Sequence, residues 1–347
     1  MKPDNMVMTL SRLSNPDAKN VPPAAHLHTT AGRECYMPQD RFFALYGLVP
    51  RVQNIYPINY GKDGADVARE ITSYIVDYEY DKRFWTELGL RDDRLHNELQ
   101  PSWVPDFSRA ATSTQEMHGV NNGLYGTDSW SHRWQEVPPP RIMTDNKTLH
   151  IWAKRLDTCD FSMAKFPCEL SEALTHMIML VGWVVTLSSH SQSLEVGAII
   201  AQFLVCHGSY KRRRQFSLIQ LVETFCLMFK KAESQETIPL TGSQYLRSML
   251  VRDATRHILG KTIFVTKHHC IGISPCDIQE GDIITISPHI FGSLVLRKQA
   301  PTSSARQGQY RIVGPAIMDV NLGNINSIGA RLLAEFPQQN PEEFVIW

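Results

Sequence analysis

The chain has no excess charge of either sign: its 35 Lys and Arg residues balance 35 Asp and Glu residues over 347 positions. It therefore lacks the electrostatic footprint of a general nucleic-acid or anionic-membrane binder, and neither partner is expected. The one basic run, "YKRRRQF" at 210–216, reads as the solvated start of a helix. Long apolar runs are missing too. The longest, 173–187, falls short of the ~20 residues needed to span a bilayer and reads as a buried core helix. The first twenty residues contain no apolar signal core. Seven scattered cysteines, an odd number, argue against a disulfide framework. Reduced, mostly buried thiols in a cytoplasmic protein are the expectation.

Catalytic signatures are also absent. There is no G-x-S-x-G elbow, no G-x-G-x-x-G fingerprint and no H-E-x-x-H. "LGKT" at 259–262 ends like a phosphate-binding loop, but Thr255 stands where that loop needs its first glycine. His268, His269, Cys270 and Cys276 lie close together, yet their spacing is not that of a zinc ribbon or finger. No metal and no cofactor are expected. A strand through this stretch would point His268 and His269 to opposite faces, so one of them could face a pocket. The adjacent pairs Asp92–Asp93 and Glu342–Glu343 read as solvated, and lone histidines such as His150 as surface or core residues.

What is present divides the chain. Residues 1–33 are polar and aperiodic and read as a flexible arm. Over 34–147 come helices and a long aromatic loop. Pro38 suits a first helical turn, Phe42, Phe43, Leu45 and Tyr46 form an apolar face, and Pro50 closes the segment. A second helix starts near Asp63, with Val67, Ile71, Tyr74, Ile75 and Tyr78 at helical spacing. The stretch 99–147 has little periodicity but holds Trp103, Trp130 and Trp134. So long an aperiodic segment is usually either a functional loop or disordered, and its tryptophans argue against disorder. Four helical patterns fill a helical body over 160–260. Strand-like alternation marks 148–159 and returns over 261–320, and the two stretches are expected to pair in one small β module. Residues 321–347 read as a C-terminal tail. The fold class is α+β: a helical body with a small antiparallel sheet or barrel.

Three ordered blocks carry a resemblance: "PQDRFFALYGL" at 38–48, "LQPSWVPDFS" at 99–108, and "GISPCDIQEGDIITIS…LVLRK…QYRIVGPAIMD" over 272–319. Together they resemble the downstream half of fungal heterokaryon-incompatibility proteins. The family's Tyr-Trp-Gly strand and Trp-Ile-Asp-x-x-Cys-Ile-Asn-Gln segment do not occur here. Trp103 between Pro101 and Pro105 is a rigid wedge able to bury a large area, read as a clamp between helices. Asp40 suits a helix N-terminus, and Arg41 is expected to pair with a carboxylate or a loop carbonyl.

Two functional expectations follow. The first is a cofactor-independent fungal secondary-metabolism enzyme that folds an apolar small-molecule intermediate for cyclisation or isomerisation, in its sharpest form a Diels–Alder cyclase. His132 and Tyr125 would be its catalytic donors, and Trp103, Trp130, Trp134 and His268 would bind the substrate. The second is a non-catalytic regulatory or interaction module of the incompatibility system, which the resemblance implies. In that case the tryptophans close the core.

Overall fold

The structure is a computed structural model. It describes residues 23–30, 35–79 except 48, 84–87, 101–107 except 106, 137–165 except 146 and 164, 260–300 except 269 and 291, 308–318 and 340–347.

Among the described residues the helices come first in the chain. They are α1 (Pro23–Thr30), α2 (Asp40–Tyr46), α3 (Pro50–Ile55), α4 (Gly64–Tyr74), a π-helical turn over Ile75–Glu79, and α5 (Phe84–Glu87). Local chemistry explains several boundaries. Asp63 caps α4, its carboxylate accepting the Asp66 N–H at 2.7 Å. Pro50 occupies the first position of α3, where its missing N–H costs nothing, so it opens a helix rather than closing the preceding segment. Val67, Ala68, Ile71 and Tyr74 bury one face of α4. The expected continuation of that face runs into the π turn through buried Ile75 but fails at Tyr78. The turn's wider winding leaves Tyr78 62% exposed, its ring stacked on Tyr74 at a centroid distance of 5.3 Å.

The strands are β1 (Arg141–Ile142), β2 (Leu149–Ser162), β3 (Thr262–Thr266), β4 (Ile271–Ser274), β5 (Ile283–Ile286), β6 (Ser293–Lys298), β7 (Tyr310–Met318) and β8 (Glu342–Ile346). They form one 8-stranded sheet whose path runs β1-β2-β3-β4-β7-β6-β5, with β8 off that path against β2 and β7. A further pairing of β5 with β2 closes this path into a ring. The expected joining of the mid-chain strand to the C-terminal strands is therefore present. β2 meets β3 through Cys159–Ser162 and β5 through Lys154–Thr158.

Several features differ from the sequence reading. Pro23–Thr30, expected within a flexible arm, forms α1, and Ala24 and Leu27 on it are buried in the core. The sheet is mixed rather than antiparallel throughout, because β8 runs parallel to β7 at Tyr310↔Ile346. Residues expected as tail supply β8, which pairs with β2 from Leu149↔Ile346 to Ala153↔Glu342. β2 also runs on to Ser162, beyond the expected end of the strand. The four helical patterns of the expected helical body lie outside the described residues. In coarse terms the fold is α+β, with helices over 23–87 and the mixed sheet.

Bulges in β2 explain how one strand serves two cores. Its pairing shifts between Arg155 and Asp157 and again between Cys159 and Phe161. Before the first shift, Leu149, Ile151 and Ala153 face a core shared with the helices. Leu156, within that shift, and Cys159, after it, join a second core with Phe264, Ile284, Val295 and Val313. One extra residue reverses which side chains point inward, so the bulge is what changes partners. Gly272 lets the second core close: a Cβ there would collide with the Phe264 ring and Met318 Sδ.

Candidate functional site

The Pro101–Pro105 segment, with Trp103 at its centre, lies between the helices and the sheet. Trp103 is fully buried. Its indole Nε1–H donates to the Lys147 carbonyl at 3.0 Å, and its own carbonyl accepts the indole N–H of Trp85 at 3.1 Å. A buried indole needs one acceptor, and here it has it. The acceptor is itself fixed by a turn. The Asp145 carboxylate accepts the N–H groups of Lys147 and Thr148 and the Thr148 hydroxyl. Partial burial pulls the Asp145 pKa upward, but these donors outweigh it and hold the carboxyl below its ordinary range.

Ser102 makes the other attachment. Its N–H and hydroxyl both donate to the Trp347 carbonyl, and its Oγ accepts the buried Ile312 N–H of β7 at 3.1 Å. Arg41 on α2 donates from Nη1 to the Phe107 carbonyl at 2.6 Å, and the Phe42 and Phe107 rings meet edge to face at 5.2 Å. The three blocks quoted from the sequence thus touch one another. Arg41 comes from the first, Ser102 and Phe107 from the second, and Ile312 from the third. The clamp joins helix to helix, α2 through Arg41 and α5 through Trp85, and also joins both to the sheet through Ile312. The Trp103 indole, the Ser102 hydroxyl and the Trp103 and Phe107 carbonyls are all engaged within the protein, which makes the segment a joint.

His268 is placed differently. It lies in the turn between β3 and β4, not within a strand, and His269 lies outside the described residues. The His268 side chain is 62% exposed, while the Asp157 carboxyl beside it is only 2% exposed. Asp157 Oδ1 meets His268 Nδ1 at 2.9 Å, and Oδ2 accepts the His268 N–H at 3.1 Å. The Thr158 N–H also donates to Oδ1. A carboxylate on Nδ1 fixes the ring orientation and favours the tautomer with its proton on that nitrogen. Nε2 is then left as an acceptor toward solvent.

Of the other predicted site residues, Tyr125, Trp130, His132 and Trp134 lie outside the described residues. Glu342 and Glu343 are not merely solvated. Across β2 and β8, Glu342 pairs with Arg155 and Glu343 with His150. Cys159 and Cys270 are buried thiols. Burial, then the charges of Asp282, Asp160 and Glu280, push the Cys159 thiol up to about 12, so it is no nucleophile at neutral pH. Among the described residues, no group of three or more His, Cys, Asp or Glu is arranged to hold a metal ion. No described helix is long and apolar enough to cross a membrane.

Sequence reasoning missed the Asp157–His268 pair because 111 residues separate its members. The alternation of β2 pointed to a strand but not to which turn its acid would meet. No family model matches the chain, and neither a curated protein nor a solved structure matches it.

Proposed function

We propose that the chain is a regulatory or interaction module of the heterokaryon-incompatibility type, acting through binding to a partner. One observation carries this reading: the three resembling blocks are hydrogen-bonded to one another, Arg41 to Phe107 and Ser102 to Ile312. Residues that mark the resemblance thereby serve as the joint of a scaffold. The zero net charge supports a protein partner rather than nucleic acid. A cytoplasmic place of action belongs to the same reading. The competing reading, a cofactor-independent cyclase of an apolar intermediate, draws on Tyr125, Trp130, His132 and Trp134, outside the described residues, on His268, whose side chain is 62% exposed, and on Trp103, whose ring N–H is already engaged.

The test is expression of the chain from a regulated promoter in a filamentous fungus, with cell death scored where hyphae fuse. The expected result is a response that Trp103→Ala abolishes and that Tyr125→Ala and His132→Ala leave intact. No response from the parent chain, or loss with either of the latter variants at an unchanged melting temperature, contradicts the module reading.

A further inference from the structure

We propose that His268, positioned by Asp157, is a surface nucleophile for neutral activated esters, a chemistry beyond the module reading. Two properties coincide at this residue. Its Nδ1 is held by a carboxylate that is almost wholly buried, and its ring is 62% exposed. The turn is already closed by backbone bonds, Lys267 N–H to the Thr158 carbonyl at 3.0 Å and Thr266 N–H to the Cys270 carbonyl at 2.9 Å. The contact from imidazole to carboxylate adds an oriented lone pair at Nε2.

The step balances without a cofactor. Nε2 attacks the carbonyl carbon, the N–C bond forms, and the ester C–O bond breaks as the alkoxide leaves. The acyl-imidazolium so formed carries its positive charge, and its remaining N–H, against Asp157. Water then cleaves the N–acyl bond, giving the carboxylic acid and returning neutral imidazole, while the departed alkoxide takes up a proton. The charge around this end of β2 selects the substrate class. The Asp157 carboxylate behind the ring is the negative charge that His268 meets, with Lys267 next to it in the turn. Anionic phosphoryl donors are disfavoured there, and uncharged esters are not.

The experiment uses the full chain with 4-nitrophenyl acetate. Release of nitrophenolate is followed, and the acetyl group is located by mass spectrometry. The expected result is an acetyl adduct on His268, with hydrolysis falling about tenfold or more in His268→Ala at the parental melting temperature. A parental rate in His268→Ala, or acetyl spread evenly over other histidines, overturns the proposal. If His268→Ala melts lower, the parent chain decides by itself. Diethyl pyrocarbonate modification of His268 must abolish hydrolysis, and hydroxylamine must restore it; a rate indifferent to that modification overturns the proposal. Asp157 is tested through the tautomer. Nitrogen-15 NMR at mildly alkaline pH must show the proton on Nδ1, and a proton on Nε2 instead removes the positioning role.

Discussion

Trp103 and Lys147 lie 44 residues apart in sequence, and the indole N–H of one donates to the backbone carbonyl of the other at 3.0 Å. This bond ties the Pro101–Pro105 segment to the turn that feeds β2, the strand on which both cores depend.

Replacing Trp103 by alanine removes a fully buried ring from that joint. The expected loss is about 3–5 kcal/mol, the range for large aromatic truncations. Trp103→Phe keeps much of the area but leaves the Lys147 carbonyl without its indole donor, and should cost less, about 1–3 kcal/mol. Denaturant midpoints of the two variants check both the size and the order.

Ser102→Ala takes the acceptor away from the buried Ile312 N–H and one donor away from the Trp347 carbonyl. Leaving a buried N–H without a partner costs about 1–3 kcal/mol. Ser102→Thr keeps the hydroxyl and should recover part of the loss. Equal destabilisation in both variants would instead point to crowding at this position.

The Gly-Asp turn before β5 holds a buried ion pair. Arg297 donates from Nε to Asp282 Oδ1 at 2.6 Å and from Nη2 to Oδ2 at 2.8 Å, and the Gln279 N–H also donates to Oδ2. Asp282→Ala leaves a guanidinium and an amide facing a site without its carboxylate, at an expected cost of about 3–5 kcal/mol. Thermal melts of the variant check this.

Stability should fall at both ends of the pH range. The raised Cys159 thiol favours the folded state while it is protonated. Its contribution is complete below the ordinary value of 9.0 and is lost as pH rises toward about 12. Tyr46, pushed from 10.0 to about 12 by burial and then by Glu70 and Tyr56, has the same sign. Asp145 has the opposite sign. Its contribution is present above 3.8 and is lost as pH falls through its lower folded value. A pH series of melting temperatures checks the pattern, and Cys159→Ala should flatten part of the alkaline fall.

Legibility in the sequence followed periodicity. The alternation of 148–159 announced β2, and its pairing with the C-terminal strands is present. The apolar face of α2 was visible in Phe42, Phe43, Leu45 and Tyr46, all of them buried. β8 was not visible, since five residues opening on two glutamates resemble a tail until Phe344 and Ile346 find a core. The π turn was hidden because its residues keep helical spacing in the sequence while changing the winding. The wedge at Trp103 was legible from its flanking prolines. Its partners, Lys147, Trp85 and Ile312 through Ser102, were not, because nothing local encodes a contact across the fold.

Native-state hydrogen exchange tests the central claim most directly, namely that the three blocks form one structural joint. The amides to follow are Ser102, bonded to the Trp347 carbonyl, and Ile312, bonded to Ser102 Oγ. The account predicts that both exchange with the opening free energy of the β6–β7 core amides, that is, only when the whole unit unfolds. Ser102 exchanging orders of magnitude faster than a protected β7 would contradict it, because the segment would then open without disturbing the sheet.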